Sequence, residues 1–227
     1  MKTISEIKQR AWDALFEKSW FGPIIVTVFI LMLTVAVNFF FMFMGTNNFI
    51  VTMAIDIIMI VCVLQPFSMG HKIYMLNIVR GEDASVGNMF DGYAFALKLL
   101  PQAILNMVIS YLLAFGMNFV FAGIQSNPLY IIVGILLLLV YLLVAAVINL
   151  SCYLVYDEGG NSLKCVLKVL VFFLKGNIIK YIGLHLSFIL WYLAAIVTFG
   201  TITFFVMPYV EASVASYYDE VRLFIKQ

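Results

Sequence analysis

Charge is scarce in this chain. Asp, Glu, Lys and Arg make up 11% of its 227 residues, against about 25% in globular domains, and that alone excludes an ordinary soluble fold. There are two His and three Cys. Cys62, Cys152 and Cys165 have no CxxC spacing, so neither a disulfide frame nor a zinc site is expected. A phosphate loop, a dinucleotide fingerprint, HExxH and a nucleophile elbow are all missing, and Gly159-Gly160 reads as a turn. No catalytic residue, metal or cofactor is therefore assigned, and the expectation is a protein that is not an enzyme. With a net charge of +1, no nucleic-acid partner is expected.

Apolar and aromatic residues take the place of charge. The chain is 64% hydrophobic with 21 Phe and 12 Tyr, and its mean hydropathy is +1.07. The charged residues fall in short segments between apolar runs of about 20 residues, the length that crosses a ~30 Å hydrocarbon core. An integral membrane protein with no separate soluble domain follows, read as one unit over 1–227. The first apolar run is too long for a signal-peptide core and lies behind an amphipathic start, so a cleavable signal is not expected.

Thr3 and Glu6 have capping-box spacing, and Ile4, Ile7, Ala11 and Leu15 recur at helical intervals, which predicts a surface-lying helix over 3–19. Crossings are expected over 21–44, 49–69, 99–121, 129–153, 178–197 and 202–218, the last kinked at Pro208. A charged connection at 70–98 holds His71, Lys72 and Arg80. Gly70, Gly81 and Gly92 are read as its breaks, and Ser85 as the cap of a short amphipathic helix over 86–97. From Ser162 to Leu174, lysines fall on one side and Leu163, Val166, Leu167, Leu170 and Phe173 on the other, giving a basic interfacial helix closed at Gly176.

The fold class expected is thus an all-α bundle of about six spanning helices with amphipathic helices on one face. The turns at 45–48, 122–127 and 198–201 carry no charge, whereas the other connections and both ends carry all the basic residues. The positive-inside bias then puts both termini in the cytoplasm. Interfacial segment plus hairpin is read as a possible repeat starting near residues 5, 85 and 162, an organisation that also arises in any membrane hairpin preceded by basic residues.

Several residues stand out. Asp56 lies inside a spanning segment, where a carboxylate costs about 2.5–3.5 kcal/mol, so it is either an ion or proton site or a hydrogen-bonded acid that fixes packing. His185 and Glu211 flank the 198–201 turn at similar depth and are expected to pair, as a proton relay or as a structural tie. Asn38, Asn106, Asn118 and Asn149 suit helix association. Lys164, Lys168, Lys175 and Lys180 suit contact with anionic headgroups, each worth about 1 kcal/mol, although topology determination alone would also place them there.

The closing segment carries a resemblance. Lys175-Gly176, Leu186-Ser187-Phe188 followed by Trp191, Thr198-Phe199-Gly200, Pro208-Tyr209 and the aromatic pair Tyr217-Tyr218 before an acidic end are similar to the signature of the bacterial domain-of-unknown-function 975 membrane proteins. The opening IKQRAWDALFEKSW, the stretch IVRGEDASVGNMFDGY, and Tyr153 before Asp157-Glu158 match earlier segments of that family in order. The chain departs from it at Gln125–Pro128, where a proline-glycine turn is expected, and at Asn177-Ile178, where a more basic pair is usual. The resemblance implies a multi-pass protein of the bacterial plasma membrane and brings no established activity. Two functions fit these readings. One is a non-enzymatic module that binds membrane lipids, anionic ones included, or a membrane-protein partner. The other is a small-solute or ion-coupled transporter.

Overall fold

The computed structural model describes residues 2–17, 20–44, 49–124 and 127–225, and among them every regular element is helical. The expected outer turn at 45–48 and part of that at 122–127 lie outside the described residues.

Helix α1 (Ile4–Glu17) buries Ile7, Ala11 and Leu15, a stripe at four-residue spacing that fits one helix face. Its start is the expected capping box: the Thr3 N–H donates to Glu6 Oε2 at 2.7 Å and the Glu6 N–H to Thr3 Oγ1 at 3.3 Å. Helix α2 (Phe21–Met44) follows, then α3 (Phe49–Met59) and α4 (Gln65–Arg80), joined without interruption by a π turn over Ile60–Leu64. The widened turn comes just before Pro66, whose ring would collide with the carbonyl four residues back in a regular α-helix.

The chain thus does not leave the helix at Gly70 as the sequence suggested. It continues to Arg80 and ends at Gly81, whose φ of 74° is left-handed, with the Glu82 N–H donating to the Asn77 carbonyl at 2.9 Å. Gly70 and Gly92 are contact points instead of breaks. The segment Val86–Phe95, where a short amphipathic helix over 86–97 was expected, is a 3₁₀ helix and lies on α4. A Cβ on Gly70 would stand 2.0 Å from the Met89 carbonyl oxygen, and one on Gly92 1.9 Å from that of Pro66. The Ser85 N–H donates to Asn88 Oδ1 at 2.8 Å and so starts this segment where the sequence placed it.

Helices α5 (Ala96–Ile124) and α6 (Leu129–Glu158) form a long hairpin. α6 stops at left-handed Gly159, and Asn161 Oδ1 accepts the Leu163 N–H at 2.9 Å to begin α7 (Ser162–Phe172). After a turn containing Gly176, φ 92°, come α8 (Ile178–Leu186), α9 (Ile189–Val197) and α10 (Thr203–Ile225).

Among the described residues, four helical stretches are long and apolar enough to cross a membrane: Phe21–Phe40, Ala54–Arg80, Val86–Ile124 and Leu129–Glu158. The expected fifth crossing is divided at Ser187-Phe188 into two nine-residue helices, each about 13 Å long. The expected sixth lies in α10, which is continuous through Pro208. α10 touches α1, α2, α4, α6, α7, α8 and α9, and residues 212–218 are all buried. Other helices, rather than the surroundings of the bundle, cover this middle part of α10. The three segments expected to open repeated units take different forms, α-helical at 4 and 162 and 3₁₀ at 86.

Candidate functional site: a polar seam and a charged clamp

Two sets of polar side chains converge on α10. The first is inside the bundle. Because α4 does not end at Gly70, His71 and Lys72 are carried among the other helices, and neither was singled out from sequence. His71, 7% exposed, shares a hydrogen bond with Thr27 Oγ1 of α2 at 3.3 Å. The Lys72 ammonium donates to Asn149 Oδ1 of α6 and lies 5.4 Å from the ring centre of Tyr153, so its charge is met by an amide oxygen and an aromatic face. Tyr153 stacks on Tyr218 with centroids 5.1 Å apart, and Tyr181 of α8 meets both Tyr217, at 5.6 Å, and His185, at 4.8 Å.

Glu211 belongs to this seam. It lies within electrostatic reach of His71, Tyr153, Tyr181 and His185, and its Oε2 is buried with no hydrogen-bond partner. The expected His185–Glu211 juxtaposition is therefore electrostatic, while the hydrogen bond His185 makes is to Tyr192, at 3.4 Å from Nδ1. The Tyr153 hydroxyl is likewise buried without a partner. Asp56 is elsewhere: it accepts from the Tyr111 hydroxyl of α5, a hydrogen bond between helices. Of the four asparagines, Asn149 does bind another helix, whereas Asn38 and Asn118 turn back to their own, on Thr34 and Ala114 carbonyls.

The second set closes one end of the bundle. Arg80 is the last residue of α4, and its guanidinium grips Asp157 of α6 through two bonds of 2.9 Å, the bidentate geometry that only arginine offers. Its Nε also donates to Asp219 Oδ1 of α10 at 3.0 Å. Arg10 of α1 reaches Asp219 Oδ2 at 2.8 Å and the Val79 carbonyl at 3.3 Å. Arg222 lies 3.3 Å from Asp219 and 3.7 Å from Asp157, and the Tyr218 hydroxyl donates to Asp157 at 2.8 Å. Burial works against the Asp219 carboxylate, yet the hydrogen bonds from Arg10 and Arg80 outweigh it and hold its pKa below the ordinary value. Four helices are tied by three arginines and two aspartates.

The lysines expected at headgroups divide. Lys168 makes two bonds to Glu158, at 2.8 and 2.9 Å, and Lys180 reaches the Lys2 carbonyl at 3.4 Å. Lys164 and Lys175 are exposed. Around them α7 is not divided as the sequence suggested: Cys165, Val166, Val169 and Phe172 face inward, while Leu163, Leu167, Val171 and Leu174 are 40–74% exposed on the lysine side.

An all-helical protein with several membrane-length helices, a charged clamp at one end and a polar seam inside is what the fold and site define. The chain belongs to the family described as a protein of unknown function, DUF975, matched over residues 1–223. No curated protein and no solved structure matches it. Among the described residues no group of three or more His, Cys, Asp or Glu is arranged to hold a metal ion.

Proposed function

We propose that this protein is a six-crossing module of a bacterial plasma membrane, with both termini cytoplasmic, that works without catalysis by holding anionic lipid at its cytoplasmic face. The observation carrying this reading is the outward face of α7 and the turn after it, where the exposed aliphatic side chains Leu163, Leu167, Val171 and Leu174 share the surface with Lys164 and Lys175. Such a face suits a helix whose leucines enter the acyl boundary while its lysine stems extend to phosphates. The test is retention on anionic against zwitterionic nanodiscs. Lys164→Gln with Lys175→Gln removes about 2 kcal/mol of headgroup attraction, so the anionic preference is expected to fall by more than tenfold. Unchanged retention, or retention that tracks a co-purifying membrane protein instead of lipid, sinks the reading. The topology is checked by single-cysteine labelling from outside intact cells. Residues in the 45–48, 122–127 and 198–201 turns should react, and residue 160 and the chain ends should not.

A second reading, an ion-coupled permease, is favoured by the partnerless Glu211 Oε2 beside two histidines, since intramembrane ionisable groups mark transport paths. It predicts loss of flux in proteoliposomes for Glu211→Gln, with Asp56→Asn near wild type because Asp56 ties two helices through Tyr111.

A further inference from the structure

The chain has three tryptophans, and all of them, Trp12, Trp20 and Trp191, line one groove of about 420 Å³ on the outside of the bundle. Its floor is α10, through Phe205, Val206 and Tyr209; α2 and α9 form its sides, and α1 lies at one end. Among the described residues no charged side chain lines it. Rings fix its shape at that end: Trp12 meets Tyr209 at 5.2 Å, Trp20 at 5.3 Å and Phe16 at 4.6 Å. Exposed Trp191 and Phe205, at 44% and 59%, show that it opens sideways, away from the helix core.

A cation stands beside the lining residue Tyr209. Lys8 Nζ lies 5.8 Å from the centre of the Tyr209 ring and 4.1 Å from that of Phe188, against which Tyr209 packs at 5.1 Å. One of its three donors is used on the Ser187 carbonyl at 3.3 Å, which leaves two for an anion. Lys2 and Lys180 continue the line along the seam between α1 and α8. The nearby Glu6 carboxylate is turned back onto Thr3, and Glu220 accepts the Lys2 N–H at 3.0 Å.

We propose that this groove is a lipid site that takes one acyl chain of an anionic phospholipid, with its phosphate at Lys8 and its hydrocarbon along Trp12, Trp191 and Phe205. Size selects the occupant. A volume of about 420 Å³ is that of roughly one turn of a helix ~10 Å across, too little to dock a partner helix. It lies within the roughly 300–1,000 Å³ of small-molecule pockets. The rigid aromatic wall and the adjacent ammonium separate this site from the aliphatic outer face of α6, where Leu136 and Leu139 are exposed to whatever lipid passes. The proposal rests on the membrane reading above but not on the lysines of α7.

The test uses the full chain in nanodiscs containing a trace of phosphatidylglycerol, or of phosphatidylcholine, with a photoactivatable acyl chain, and maps the labelled peptides. Groove peptides from α1, α9 and α10 are expected to label above the α6 face. Phosphatidylglycerol should exceed phosphatidylcholine there by about fivefold, the worth of one lysine near an anionic group. Lys8→Gln should erase that preference, and Ile24→Trp, which fills the groove from α2, should reduce labelling while the protein remains folded by its thermal transition. Labelling spread evenly over all exposed faces, equal labelling by the two lipids, or a cysteine cross-link between grooves of two copies overturns the proposal. The Lys164→Gln, Lys175→Gln variant is run beside it: groove labelling should persist there, so failure of the α7 reading and failure of this one are told apart.

Discussion

At the scale of single residues, Arg80 carries the most. Its side chain is 12% exposed and those of its partners Asp157 and Asp219 are 8% and 11% exposed, so removing it strands two carboxylates that Arg10 and Arg222, at 31% and 37%, cover only partly. Leaving a buried charge uncompensated typically costs about 3–5 kcal/mol, and Arg80→Ala is expected to lose about 3 kcal/mol in reversible SDS or urea unfolding. Arg80→Lys should recover less than half, because an ammonium cannot grip Asp157 at both oxygens. A loss under 1 kcal/mol for the alanine variant would show that the clamp is closed by the other arginines. The same site sets an acid limit. The folded-state pKa of Asp219 is lowered from 3.8, so its contribution is fully present above that ordinary value and is lost as pH falls through the lowered one. Asp219→Asn should be less stable than the parent at pH 6, and the gap should close as pH falls below the ordinary carboxylate value and through the lowered one. A gap independent of pH would mean the charge of Asp219 does not matter.

At the scale of elements, the contact between α4 and the 3₁₀ segment depends on two missing side chains. Gly70→Ala or Gly92→Ala drives a methyl group into backbone atoms that have no rotamer to move, and overpacking of this kind costs typically 1–3 kcal/mol. Gly160→Ala serves as the control, since nothing lies within 4 Å of its Cβ position and the substitution should be neutral or slightly stabilising. Thermal unfolding of the three variants in detergent decides this, and equal behaviour would refute the close approach. This pair of glycines also marks how far the sequence could be read. Capping at Thr3 and Ser85, the stop at Gly159 and the buried stripe of α1 were legible because they are local, set by residues within four positions of one another. Gly70 and Gly92 read as breaks because a glycine that bends the chain and one that lets two backbones touch look alike in sequence. His71 and Lys72 read as loop residues because hydropathy reports the solvent a residue prefers, and Lys72 finds its hydrogen-bond acceptor, Asn149, 77 positions away. The clamp was invisible for the same reason, its partners lying 77, 139 and 209 positions apart. Asp56, Glu211 and His185 were found because a charged residue inside an apolar run is itself a local signal.

At the scale of the whole molecule, α10 decides the assembly. Seven other helices contact it, and it brings both the partnerless Glu211 oxygen of the seam and Asp219 of the clamp. A helix whose middle is enclosed by other helices, with three ion-pair contacts from its end to α1, α4 and α6, should associate with the remainder of the bundle even when no peptide bond joins them, since packing and polar contacts drive helix association in membranes. The connection at residue 160 is a suitable place to divide the chain, because Glu158, Gly159 and Asn161 around it are exposed and its glycines touch little. Residues 1–160 and 161–227, expressed together with a tag on the shorter piece, are expected to co-purify. The longer piece alone should be degraded or aggregate, having the faces of α1, α2 and α4 uncovered. Asp219→Ala in the shorter piece should weaken recovery of the longer one severalfold, since it removes the partner of Arg10 and Arg80. If the fragments fail to co-purify while each inserts in the membrane, then α10 is held by its covalent connection and not by the contacts that surround it.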